Sequence, residues 1–245
     1  MRQRVITGIV LIAILLVIGV INNKFLTGLV ILIISAISLF EAKKLFNIDD
    51  ENLLYFSIVI VVLSLFIDPI IIGIFGVIIG ASYIAFYQKE LKNISILIYP
   101  TLPLLFIYGL YLKYGMGILG WLILIVALTD ILAYFVGKNF AKKFINFGFC
   151  KTSPNKSWEG VIGGVVGSVI ISSIVGLYFF DFLNALIISF CVSLASVFGD
   201  LFESYLKRRA GVKDSGDILP GHGGVLDRVD GYLFAGPIML AILGI

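Results

Sequence analysis

Histidine, cysteine and charge are all scarce in this chain of 245 residues, which has one His, two Cys, and only 13% Asp, Glu, Lys and Arg together. Cys150 and Cys191 have no paired metal or redox spacing, and they say nothing about disulfides. With His222 as the only histidine, sites built on several histidines are excluded. No Walker-type glycine loop is present, so a soluble-type P-loop is excluded as well. The net charge of +3 gives little footing for nucleic acid, and no nucleic-acid partner is expected. The shortage of charge also excludes a soluble domain. A chain that is 60% hydrophobic, with a mean hydropathy of +1.11, could not keep its surface in water.

What the chain does have is long apolar runs. Nine are readable, over about 5–21, 25–41, 53–67, 69–87, 94–112, 118–137, 160–180, 183–201 and 228–245. A helix of about 20 residues crosses a hydrocarbon core of roughly 30 Å. The runs are solidly apolar and do not alternate, and lipid-facing backbone must pair within its own segment, so the expected fold is all-α and polytopic. The first run lacks a small-x-small cleavage site, since Asn22, Asn23 and Lys24 follow it, and it reads as a retained helix. Pro69 suits a helix start, whereas Pro100 and Pro103 should kink or interrupt the fifth span.

Basic residues fall on one side. Placing the amino terminus and every even-to-odd loop together collects sixteen Lys and Arg, against Lys24 and Lys113 opposite, so the amino terminus is expected in the cytoplasm. Attraction to anionic lipid accounts for Lys43, Lys44, Lys89 and Lys92. The chain is therefore expected to form a single membrane domain, 1–245. Within it, 1–117 is a helical scaffold, and 118–245 is a catalytic part with cytoplasmic loops at 138–159 and 202–227.

The second half differs in kind. Asp130, Asp200, Asp227 and Asp230 lie inside or at the ends of apolar runs, where an acid costs several kcal/mol unless it is paired, hydrated or metal-bound. Asp200, Glu203, Ser204 and Lys207 recur at three- and four-residue intervals down one helical face. Carboxylates without cysteine or several histidines suit Mg²⁺. Lys207, Arg208, Arg209, Lys213 and Arg228 match phosphate oxygens, and Gly221, Gly223 and Gly224 would let backbone amides approach a phosphate beside His222. Together these point to phosphoryl or nucleotidyl transfer. Singly, Gly223-Gly224 could be an ordinary turn and Asp227 a helix cap. In KTSPNKSWEG, Ser157 and Glu159 suit a helix start, while Lys151, Ser153 and Lys156 are not explained by capping.

At Ser204, Lys207-Arg208, Lys213-Asp214, Gly216, Leu219-Pro220, His222-Gly223-Gly224, Asp227-Arg228 and Asp230 the chain resembles the phosphatidate cytidylyltransferase, or CDP-diacylglycerol synthase, family. SPNKSWEG resembles the family's second polar motif, departing from it at Asn155 and Ser157, and Thr129-Asp130 resembles its intramembrane acidic motif. The resemblance covers about 129–237 specifically. It implies a homodimeric enzyme joining CTP and phosphatidate, among other membrane lipids, in a Mg²⁺-dependent reaction assisted by a monovalent cation such as K⁺. On this resemblance Asp200, Asp227, Lys207, His222 and Asp130 are the expected catalytic residues, and Asp200, Asp227 and Asp230 the expected metal ligands. Lys151, Ser153, Lys156, Ser204, Arg208, Lys213, Gly223, Gly224 and Arg228 are the expected phosphate binders. A CTP-dependent kinase or cytidylyltransferase of a polyprenyl lipid would use similar parts, and a transporter would use the intramembrane acids differently. No inverted repeat supports the transporter. The short chain without targeting extensions is expected in a prokaryotic plasma membrane, with its active site at the cytoplasmic face.

Overall fold

Helices begin where the sequence offers a capping side chain. Asn23 Oδ1 accepts from Leu26 N–H, Asp50 Oδ1 from Asn52 N–H, Asp68 Oδ1 from Ile70 and Ile71 N–H, and Ser157 Oγ from Gly160 N–H, all at 2.9–3.1 Å. Each satisfies amides that have no partner inside their own helix. The computed structural model describes residues 2–141, 143–145, 147–221 and 223–244.

Among the described residues the structure is helical, with only isolated bridges at Gly148 with Ser157 and Leu219 with Gly223. The α-helices are α1 (Arg2–Ile21), α2 (Lys24–Leu45), α3 (Glu51–Leu63), α4 (Pro69–Tyr87), α5 (Leu102–Phe140), α6 (Trp158–Gly176), α7 (Phe182–Arg209) and α8 (Leu226–Leu243). As expected, Pro69 opens α4. The fifth expected span is interrupted as its prolines require. Backbone at Tyr99, ahead of Pro100, leaves helical geometry (φ −147°, ψ 115°), and α5 begins at Leu102. The rest of the fifth expected span and the sixth are two helical segments within the α5 range, divided where the backbone leaves helical geometry at Gly115 (φ 83°, ψ 178°). The third, α3, has 13 residues and is about 20 Å long, short of a full crossing.

Among the described residues five helical stretches are long and apolar enough to cross a membrane: Lys24–Leu45, Pro69–Tyr87, Leu91–Phe140, Trp158–Gly176 and Phe182–Arg209. Apolar side chains face outward along them and along α1, where Ile12, Leu16 and Val20 are 60%, 64% and 86% exposed, a surface suited only to lipid. The chain is a multi-pass membrane protein.

The fold divides into two compact units. The first comprises Met1–Met116 and Leu206–Val229. Its core packs Leu39 of α2, Leu53 and Leu54 of α3, Ile84 of α4 and the Ile96-Leu97 turn. The scaffold lysines pair locally, Lys43 with Glu51 at 3.1 Å, Lys89 with Asp50 at 3.3 Å and Lys92 with Glu90 at 2.9 Å. The segment 206–229, holding the densest polar motif, belongs to this unit.

The second unit comprises Gly117–Tyr205 and Asp230–Ile245. Here helix packing rests on small residues and hydroxyls, as it does in lipid. A Cβ at Gly164 of α6 would stand 2.7 Å from both Ala133 Cβ and Thr129 O of α5, so only glycine permits that approach. Trp121 Nε1 donates to Ser172 O at 2.8 Å, Ser168 Oγ to Ile125 O at 2.9 Å, and Thr129 Oγ1 lies 2.8 Å from Ser193 Oγ.

Candidate active site

In the first unit the polar motif is organised around Asp227, in the first turn of α8. Lys207 Nζ donates to Asp227 Oδ1 at 2.7 Å, and the Ser215 and Gly224 amides donate to Oδ2 at 3.0 and 2.8 Å. The pair is secluded, with side chains 5% (Asp227) and 14% (Lys207) exposed. Burial pushes the Asp227 carboxyl up, but the Lys207 hydrogen bond, the Gly224 amide, the Lys207 charge and the Ser215 amide outweigh it and hold it below the usual carboxylate range. Gly223 requires its residue type twice over. Its φ is +83°, and a Cβ there would stand 2.6 Å from Asp227 Oδ2. The bond from Leu219 N–H to Gly223 O, 3.0 Å, closes the turn before it.

Asp227 lies inside the first turn of α8 and is not its N-cap; it accepts instead from loop amides that precede the helix. It is joined by a largely covered lysine that no capping function requires. The glycine-loop amides serve the protein's own carboxylates: Gly224 N–H goes to Asp227, while Val225 and Leu226 N–H go to Glu41 at 3.0 and 2.7 Å. Glu41 is on α2 and only 3% exposed. It escaped the sequence reading, although an acid ending an apolar run was a usable signal.

In the second unit, Lys156 Nζ donates to Asp200 Oδ2, with both side chains 31% exposed, and Ser204 Oγ lies 3.4 Å from Asp200 Oδ1. The KTSPNKSWEG segment is braced from within. Phe149 N–H donates to Lys156 O at 2.7 Å, and the Phe144 and Ile145 amides donate to Glu159 Oε1 at 3.0 and 2.8 Å. Glu159 therefore ties down a loop in addition to starting α6. Helices α7 and α8 meet closely where a Cβ on Gly199 would stand 2.5 Å from Asp230 O. Asp230 Oδ1 accepts from Gly231 N–H at 2.7 Å, and Tyr232 is within electrostatic reach of both Asp130 and Asp230.

The remaining cations face outward. Lys151, Arg208, Lys213 and Arg228 are exposed, Ser153 is half-buried, and His222 lies outside the described residues. Among the described residues no three His, Cys, Asp or Glu side chains gather into a protein-built metal cage. Asp200 and Asp227 instead offer hard oxygens singly, each beside a lysine. Such a set fits Mg²⁺, which takes one or two carboxylates and completes its shell with water and substrate phosphates, and it does not fit zinc.

A multi-pass helical membrane protein with phosphate-matching cations and carboxylate–lysine pairs in its polar segments is the class that this fold and site define. The chain belongs to the cytidylyltransferase family, whose model matches residues 2–245. The phosphatidate cytidylyltransferases of two Helicobacter pylori strains are 40% and 39% identical to it over 248 residues, covering 99% of this chain and 91% of theirs. That of Thermotoga maritima is 41% identical over 157 residues, 61% of this chain and 57% of its own.

Proposed function

We propose that this chain transfers the cytidylyl group of CTP to phosphatidate. A phosphate oxygen of phosphatidate forms a bond to the α-phosphorus of CTP, the bond from that phosphorus to the β-phosphate oxygen breaks, and pyrophosphate leaves with the electron pair. The product is CDP-diacylglycerol. The observation that carries this reading is the near-full-length likeness to proteins named phosphatidate cytidylyltransferase. The lysine–carboxylate pairs in both polar segments support it.

A phosphate monoester has a second pKa of about 6, so the nucleophile is already largely dianionic at neutral pH and needs no general base. The protein's task is to orient anions and offset their repulsion. Lys207 and Lys156, held by Asp227 and Asp200, present their ammonium groups to phosphate. Lys151, Ser153, Ser204, Arg208, Lys213 and Arg228 add donors, Gly223 and Gly224 shape the loop, and His222 orients a phosphate. Asp130 is the further catalytic acid that the family's intramembrane motif implies. Asp200, Asp227 and Asp230 are the candidate carboxylates, of which Mg²⁺ would need one or two; when bound it would screen phosphate charge, with K⁺ assisting.

In this reading the nine apolar runs are embedded in a prokaryotic plasma membrane, α3 reaching only part of the way across, and the chain works as a homodimer with its amino terminus and site in the cytoplasm. Purified protein with CTP, Mg²⁺ and phosphatidate should form CDP-diacylglycerol. Release of CDP with a phosphorylated lipid would instead identify a kinase. For orientation, Cys150, partly exposed in the 138–159 segment, should react with an impermeant thiol reagent only from the cytoplasmic side. Labelling from outside would overturn the topology.

A further inference from the structure

Glu41 lies far from every polar motif in sequence, yet its carboxylate is buried among the amides of the Lys213–Asp227 loop. Glu41 Oε2 accepts from Ser215 Oγ at 3.1 Å and from Leu226 N–H at 2.7 Å, and Oε1 accepts from Val225 N–H at 3.0 Å. Its donors are 174 to 185 residues away along the chain. The loop closes on it tightly. A Cβ at Gly216 would stand 2.5 Å from Glu41 Oε1, and one at Gly224 would stand 2.6 Å from both carboxylate oxygens. No other residue type fits at either position without displacing the carboxylate.

The same loop groups serve Asp227. Ser215 gives its hydroxyl to Glu41 and its amide to Asp227, while the adjacent amides of Gly224 and Val225 divide between Asp227 and Glu41. Two carboxylates therefore grip one strip of backbone from opposite ends of the sequence. Val225 and Leu226 lie at the start of α8, where amides lack intrahelical partners, and a side chain from α2 supplies the acceptor. A buried carboxylate costs desolvation that its donors roughly offset, so such a clasp contributes geometry more than net stability.

We infer that Glu41 is a positioning residue for cytidylyl transfer, acting through Ser215 and the amides at the start of α8 to hold Asp227 in place beside Lys207. The inference rests on the function proposed above. It follows that part of the site's precision comes from the scaffold half of the chain.

The test compares wild type, Glu41→Gln and Glu41→Asp in detergent–lipid micelles, reading KM for CTP and hydrogen exchange by peptide. Gln places an NH₂ group where two backbone amides need acceptors. Residues supporting a site in this way typically contribute about 10- to 100-fold. Glu41→Gln should raise KM for CTP about tenfold and speed exchange in peptides from 213–227, leaving those of α3 and α4 unchanged. Glu41→Asp, which keeps the charge but shortens the reach to the loop donors, should give an intermediate rise in both. Wild-type kinetics in Glu41→Gln would overturn the inference. So would faster exchange throughout the protein with KM unchanged, the mark of a merely structural residue. Should Glu41→Gln not fold, the inference still requires an intermediate rise in KM for Glu41→Asp, and an unchanged value contradicts it. If wild type itself forms no CDP-diacylglycerol, the functional reading fails and the catalytic part of the inference with it, while exchange in 213–227 still decides whether Glu41 holds the loop.

Discussion

Lys207 and Asp227 are separated by twenty positions and meet in a secluded hydrogen bond, and much of the chemistry argued here depends on that contact. Removing one member of this partly buried pair leaves the other charge undercompensated, at a cost of about 1–3 kcal/mol. Asp227→Asn should therefore lower the thermal midpoint markedly and reduce turnover by at least about 100-fold. The double variant Asp227→Asn with Lys207→Met should regain much of the stability and none of the activity, since replacing both charges removes the unpaired one. Recovery of activity in the double variant would contradict a role for either group in catalysis. The depressed carboxyl of Asp227 also sets a pH dependence. Its contribution to stability is fully present above the unfolded value of about 3.9 and is lost as pH falls through the lower folded value. In acid titrations followed by thermal midpoint, the gap between wild type and Asp227→Asn should narrow below about pH 4. Asp227 was legible in sequence because an acid at the edge of an apolar run is costly. Its partners were less so: spacing along α7 marked Lys207 as polar-faced, but the fold alone joins it to a residue beyond a loop.

Among the elements, helix starts were the most readable features, because Asp68-Pro69 and Ser157 are local signals whose partners lie within three residues. The break ahead of α5 was readable at Pro100 for the same reason. The break at Gly115 was readable as well, since the short polar interruption there separates two apolar runs. Close helix contacts were hidden, because a glycine in an apolar run declares neither its neighbour nor its distance. In the structure Gly164 lies against Thr129 and Ala133, whereas Gly120 has nothing within 4 Å of its Cβ position. Gly164→Val should consequently destabilise by about 1–3 kcal/mol, and Gly120→Ala should be close to neutral. Thermal midpoints in one detergent check both, and equal effects would contradict the packing described for α5 and α6.

For the molecule as a whole, the paired lysines divide into two kinds. Lys43, Lys89 and Lys92 settle into local ion pairs with Glu51, Asp50 and Glu90, whereas Lys156 and Lys207 engage acids of the polar motifs. The sequence reading ascribed Lys43, Lys89 and Lys92 to anionic lipid, whereas each has an acidic partner in the structure, and it did not single out Glu41, whose loop partners lie 174 to 185 residues away. Function was legible chiefly through the motif over 204–230, and the likeness to the Helicobacter relatives extends across both halves. The most direct test of the central claim follows two labels in one reaction, using CTP marked at either its α- or its γ-phosphorus with the purified protein, Mg²⁺ and phosphatidate. Cytidylyl transfer predicts that the α label enters the lipid together with cytidine while the γ label leaves as pyrophosphate. A γ label in the lipid, with CDP released, would contradict it.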